Sequence, residues 1–166
     1  MCGIAGFLNP RNNDKKTEKE IYQILKKMNE VQRHRGPDDE GIFLENGCAL
    51  GHVRLSILDL YRGHQPMCKK EEGNTYAIIL NGEIYNMKTL KEQLIKEGEM
   101  FSTTSDMEVV LTGYIRYGIS YIEELNWNFF YCSVGWETKE IIFDQRSCWC
   151  EAIILYKTGR YINLCI

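Results

Sequence analysis

Cysteine stands directly behind the first methionine, in Met1-Cys2-Gly3-Ile4-Ala5-Gly6-Phe7. Its side chain is small enough for an initiator methionine before it to be removed, which would leave Cys2 with a free α-amino group. An unperturbed α-amine titrates near about 8, so it can take a thiol proton at neutral pH. One residue then supplies nucleophile and base together; a small buried cysteine is the plainer reading. A thiol attacking a carboxamide also needs donors for the oxyanion that develops. Asn81-Gly82 at the end of an apolar run offers a side-chain amide beside a backbone N–H, and glycine allows close approach; a simple Asn-Gly turn would look the same. A free amino acid further needs a cation for its carboxylate and an anion for its ammonium. Arg54, ending an apolar segment, suits the first role. Asp106, in the first turn of an expected helix, suits the second, although a carboxylate there also favours the helix dipole. Each signal is weak alone; their order along the chain is the informative part.

Elements that could position these groups are legible in the residue pattern. A short apolar strand is expected at Gly3–Leu8, followed by the turn-forming run Asn9–Asp14. A helix follows from about Thr17 to Arg33, with Ile21, Ile24, Leu25, Met28 and Val31 at helical spacing and Thr17-x-x-Glu20 as a capping box. Two strands, Gly41–Leu44 and Cys48–Val53, are joined by a turn at Glu45-Asn46-Gly47. After a loop over Asp59–Gln65, the segment Thr75–Leu80 reads as a buried strand. Helices are expected at Met87–Glu97, capped by Asn86, and at Asp106–Tyr117, with Ser105-x-x-Glu108 as a second capping box. Strands follow at Phe129–Val134, Glu140–Phe143, Ile153–Tyr156 and Tyr161–Ile166. Helices between blocks of strands make an α+β arrangement, and no linker or repeat divides the 166 residues, so one domain is expected.

Composition narrows the function classes. A net charge of −3 argues against nucleic acid as the main partner, and the lysine pairs near residues 15 and 26 are interleaved with glutamates. No apolar run approaches the roughly 18 residues of a membrane span, and the start lacks signal-peptide character, so a cytoplasmic protein is expected. The seven cysteines are then mostly free buried thiols. No C-x-x-C pair is present, and with three histidines no metal site is expected.

A set of longer motifs goes further. Met-Cys-Gly-Ile-Ala-Gly-Phe at the start is followed by Arg33-His34-Arg35-Gly36-Pro37-Asp38 and by Gly51-His52-Val53-Arg54-Leu55-Ser56-Ile57-Leu58-Asp59-Leu60. Then come Gly63-His64-Gln65-Pro66-Met67, Leu80-Asn81-Gly82-Glu83-Ile84-Tyr85-Asn86 and Thr104-Ser105-Asp106-Met107-Glu108-Val109-Val110. Over about residues 2–125 this set resembles the N-terminal glutaminase domain of glutamine-hydrolysing asparagine synthetases, a class II (type 2) glutamine amidotransferase domain. The resemblance implies an N-terminal-nucleophile hydrolase fold, a four-layer α-β-β-α sandwich, with its completeness at the C-terminus left open. It implies that Cys2 attacks the side-chain amide of glutamine to form a glutamyl thioester, with Asn81 and Gly82 as the oxyanion hole. Arg54 would hold the α-carboxylate, Leu55, Ser56, Ile57 and Leu58 would line the pocket, and Glu83 and Asp106 would bind the α-amino group. Glu83 comes from the resemblance alone. The terminal amine being the base, His34, His52 and His64 are expected to be structural or loop-bracing.

The resemblance also has limits. The family continues into a synthetase domain that uses ATP and Mg to adenylate aspartate, and nothing here resembles a Gly-rich phosphate cradle. No cofactor is expected for the glutaminase step; a synthetase domain or subunit, or a homodimer, is the expected partner. The tail departs as well: Trp127-Asn128-Phe129-Phe130-Tyr131 stands where the family usually reads Gly-Met-Phe-Ala-Phe. An inactive or truncated relative, serving as a glutamine-binding or protein-interaction module, stays open as the alternative.

Overall fold

A computed structural model describes residues 2–8, 16–45, 47–56, 63–135, 140–146, 154–158 and 161–165, with side chains as far as Asn126. The elements in chain order are β1 (Gly3–Leu8), α1 (Glu18–Gln32), β2 (Asp39–Glu45), β3 (Cys48–Arg54), β4 (Met67–Glu71) and β5 (Asn74–Ile84). There follow α2 (Met87–Lys96), α3 (Asp106–Tyr117), α4 (Ser120–Glu123), β6 (Trp127–Gly135), β7 (Glu140–Arg146), β8 (Ile154–Thr158) and β9 (Tyr161–Cys165). They gather into two compact units. One holds β1, α1, β2, β3, β8 and β9 with His64–Pro66; the other holds β4–β7 and α2–α4.

The first unit is an antiparallel sheet in the order β2-β3-β1-β9-β8, with α1 lying on β1, β2 and β3. The capping box at Thr17 is present: its hydroxyl accepts from Glu20 N–H at 3.3 Å, and Glu20 Oε2 accepts from Thr17 N–H at 2.7 Å. The buried face of α1 differs from the apolar stripe. Leu25, Asn29 and Gln32 face inward, whereas Ile24 and Val31 are 37 % and 76 % exposed. Asn29 Nδ2 donates to the carbonyls of Gly41 and His52 at 3.3 and 3.4 Å, and Gln32 Nε2 donates to Ile4 O at 3.1 Å. Glycine makes the room. A Cβ on Gly51 would lie 2.5 Å from Asn29 Oδ1, and one on Gly3 would lie 2.5 Å from Gln32 Oε1.

The second unit is an antiparallel sheet in the order β4-β5-β6-β7, with α3 packed on β5 and β4 and with α2 and α4 against α3. Its core joins Ile78, Leu80 and Ile84 of β5 to Leu90 and Leu94 of α2, to Val109, Val110 and Leu111 of α3, and to Tyr121 of α4. Tyr121 lies so close to Gly113 that a Cβ there would meet its ring at 2.0 Å.

The plain-turn reading of Asn81-Gly82 falls away, since both lie within β5, where Asn81 and Gly82 pair with Phe130 and Phe129. Asn86 caps α2 without a side-chain bond; its amide instead bonds Glu124 O and Asn126 N–H, both at 2.8 Å. Glu108 does not complete a capping box, since its carboxylate accepts from the N–H and hydroxyl groups of Ser102 and Thr103 at 2.6–2.9 Å. β4 and α4 carried no periodic signal: β4 is a polar edge strand with two lysines, as edges often are. The tail supplies strands to both sheets. Among the described residues no helix is long and apolar enough to cross a membrane; Cys48 is buried, Cys2 half-buried and Cys68 exposed. Residues 9–14, Asn46, and the first strand residue expected at Ile153 lie outside the described residues.

The docking of α1 through amides gives a direct test. Asn29→Ala removes two buried donors and is expected to lower stability by about 1–3 kcal/mol in urea unfolding. An unchanged midpoint would mean that the helix does not dock through this side chain.

Candidate active site

In the first unit, Cys2 immediately precedes β1, the strand between β3 and β9. Gly3 is in register with Val53, the residue before Arg54, which ends β3. The half-buried thiol touches the residue beyond: Leu55 N–H donates to Cys2 Sγ at 3.4 Å, and Sγ–H lies 3.9 Å from Leu55 O. Arg35 Nε donates to the Cys2 carbonyl at 3.1 Å. Gly36 lets this turn press against β3, since a Cβ there would lie 2.4 Å from the Val53 backbone. Arg54 itself is buried, 7 % exposed, at the end of a strand buried along its whole length. Asp38 N–H donates to Arg54 O at 3.0 Å, and Asp38 Oδ2 accepts from Ser56 N–H at 2.8 Å. This unit thus brings together Cys2, Arg54, Leu55 and Ser56; Ile57 and Leu58 lie outside the described residues.

Arg35 and Asp38 were not assigned a task from sequence. Both sit in Arg35-Gly36-Pro37-Asp38, which reads locally as a helix-breaking loop, and their contacts reach 33 and 18 residues along the chain. His34 Nδ1 lies 3.1 Å from Val31 O, His64 Nδ1 lies 2.7 Å from Asp39 Oδ2, and His52 is buried in β3.

In the second unit, Asn81 is buried and Gly82 follows it at φ 156°, a backbone angle that side-chain-bearing residues rarely adopt. Glu83 is the next residue, exposed, and Asp106 opens α3. Asp106 Oδ1 accepts from Met107 N–H at 3.0 Å, and Ser105 Oγ accepts from the same group at 3.3 Å. Burial raises the Asp106 carboxyl above its ordinary value; the Glu83 charge pushes the same way, and the hydrogen bonds pull back. Among the described residues no ion pair joins Asp106 or Glu83 to a base. A carboxylate whose charge is disfavoured by burial and by a neighbouring carboxylate, with no ion pair to a base among the described residues, makes a setting that a bound ammonium would relieve. The segment before Asp106 is itself tied down. Glu108 grips Ser102 and Thr103, and Lys91 Nζ donates to Thr103 O at 2.7 Å. Burial raises the Glu108 carboxyl, yet the hydrogen bonds from Ser102 and Thr103 hold it below its ordinary value. No group of three or more His, Cys, Asp or Glu among the described residues is arranged to hold a metal ion.

A carboxyl that binds its proton more tightly in the folded chain costs stability as pH rises through its folded value, and costs nothing below the unfolded value. Asp106→Asn is therefore expected to melt higher than the parent at neutral pH, with the difference vanishing as pH falls to 3.8. A variant that melts lower at neutral pH would reveal a basic partner for Asp106.

A family model for a glutamine amidotransferase domain matches residues 1–146. The chain is 36 % identical over 146 residues to asparagine synthetase [glutamine-hydrolyzing] 3 of Bacillus subtilis, covering 88 % of this chain and 23 % of that protein. It is 34 % identical over 142 residues to asparagine synthetase [glutamine-hydrolyzing] 2 of Arabidopsis thaliana, covering 86 % of this chain and 23 % of the relative. The chain thus spans about a quarter of the length of these curated relatives. Among solved structures, the glutamine phosphoribosylpyrophosphate amidotransferase from B. subtilis aligns over 99 % of this chain and 41 % of its own, with a TM-score of 0.77 at 20 % identity. At that identity the likeness speaks for the fold, which is the α+β fold of the N-terminal-nucleophile hydrolase type expected from the sequence. By the match over residues 1–146, the chain belongs to the glutamine amidotransferase domain family.

Proposed function

We propose that this chain hydrolyses glutamine to glutamate and ammonia, with Cys2 as nucleophile. The observation that carries the reading is the Cys2 thiol held at the entrance to β1 against the backbone of Leu55, the residue that follows Arg54 at the end of β3. With Met1 removed, the α-amine of Cys2 takes the thiol proton as sulfur attacks the side-chain carboxamide carbon of glutamine. The Asn81 amide and the Gly82 N–H donate to the oxyanion. As the tetrahedral intermediate collapses, the ammonium of Cys2 returns its proton to the leaving nitrogen, and ammonia departs from a glutamyl thioester. Water then attacks the thioester, the amine takes its proton, and glutamate leaves as the thiol is restored. Arg54 binds the α-carboxylate, which a guanidinium can hold in two parallel hydrogen bonds. Glu83 and Asp106 bind the α-ammonium, and Leu55 to Leu58 line the pocket.

This chemistry uses no cofactor. The ammonia would serve a synthetase domain or subunit that makes asparagine from aspartate, where ATP and Mg would be required; the names of the similar full-length proteins support that destination.

Purified chain lacking Met1 should release ammonia from glutamine, and Cys2→Ala should abolish release while leaving glutamine binding measurable by calorimetry. Ammonia release that survives Cys2→Ala excludes this nucleophile, and binding without release by the parent chain would favour a glutamine-binding module. Arg54→Ala is expected to raise KM by about 100-fold, as a buried charged partner of the carboxylate is lost. A KM within a factor of about two of the parent would remove Arg54 from the pocket.

A further inference from the structure

We infer that Asp38 and Asp39 are a two-handed grip that positions the glutamine-binding stretch after β3, with His64 as the part that Asp39 holds. The inference rests on the proposed glutaminase reading, because it assigns Leu55 and Ser56 to the pocket.

The chain leaves β3 at Leu55–Ser56 and comes back at His64–Pro66, and both ends meet the start of β2. On the outgoing side, Asp38 Oδ2 accepts from Ser56 N–H at 2.8 Å, and the Asp38 N–H donates to Arg54 O at 3.0 Å. On the returning side, His64 Nδ1 donates to Asp39 Oδ2 at 2.7 Å, while Asp39 Oδ1 accepts from Glu40 N–H at 2.9 Å and so fixes the carboxylate. The next contact is steric. A Cβ on Gly41 would fall 1.8 Å from Gln65 O, so only glycine lets the returning backbone come this near to β2. Asp39 is also the register partner of Arg54. Four consecutive residues, Asp38 to Gly41, thus fix both ends, and through Leu55 they fix the backbone that touches the Cys2 thiol.

The two hands differ. Ser56 is held through its backbone, whereas the Asp39–His64 pair is a side-chain contact, with His64 62 % and Asp39 35 % exposed. Such a pair contributes little to overall stability. What it can set is how often the returning segment occupies the position that glutamine binding requires, an effect that appears in KM.

The test uses the full chain lacking Met1, with glutamine as the probe. Asp39→Ala and His64→Ala should each raise KM by about three- to fivefold with kcat within about twofold. The double variant should be no worse than either single one, since the two side chains share one interaction. The exchange Asp39→His with His64→Asp should restore most of the affinity, and high salt should narrow the gap between parent and single variants. Melting temperatures should stay with the parent in all four. Single variants with parental KM, a double variant whose effect is the product of the singles, or an exchange that restores nothing each overturn the grip and leave the Cys2 reading intact. A parent chain that neither binds nor hydrolyses glutamine overturns both.

Discussion

A chain terminus is the least constrained part of a folded protein, and it frays unless contacts tie it down. The proposed chemistry requires the opposite, because a nucleophile that wanders cannot hold a reacting atom at attack distance. The structure places Cys2 at the head of an interior strand. β1 runs between β3 and β9, the carbonyl of Cys2 is bonded by Arg35, and its sulfur is bonded by the N–H of Leu55. Gly3 lies tight between Gln32 and Val53, where a Cβ would come within 2.7 Å of both. α1 is fastened by amides to the strand carbonyls, and the turn after it delivers Arg35 and Asp38 to the same edge.

The second unit solves a different problem. A carboxylate proposed to bind an ammonium has to be available, hence unneutralised, and yet well placed. Asp106 is shielded and lies near Glu83, which raises its carboxyl; the folded chain bears that strain at neutral pH. Its position is set by neighbours that are fully engaged: Ser105 caps α3, and Glu108 closes the preceding residues into a fixed turn. Sites that hold function at the expense of stability are expected to look like this.

How far the sequence was legible depended on the range of the interaction. Cys2, Arg54 and Asp106 could be singled out because their chemistry is carried by residue type and local position, and the strands and helices around them follow local periodicity. The docking face of α1 was misread because periodicity finds apolar residues. Here Asn29 and Gln32 are buried in place of Ile24 and Val31, on account of glycines 22 and 29 residues away, at Gly51 and Gly3. Asn81-Gly82 has a strong local turn preference, but pairing with Phe130 and Phe129 overrides it, and that pairing joins segments 47 to 49 residues apart. Glu108 fits a capping box by spacing, yet Ser102 and Thr103 offer its carboxylate four donors. In each case the deciding partner is distant or competes on equal local terms.

The central claim is that one residue, unblocked at its amine, is acylated by its substrate. Acid-quenched intact-mass and peptide mapping of the chain during turnover of glutamine reads this directly. The account requires a glutamyl adduct confined to a chain that begins at Cys2 and mapped to that sulfur. An adduct on any other residue, or turnover by molecules that all retain Met1, would contradict it.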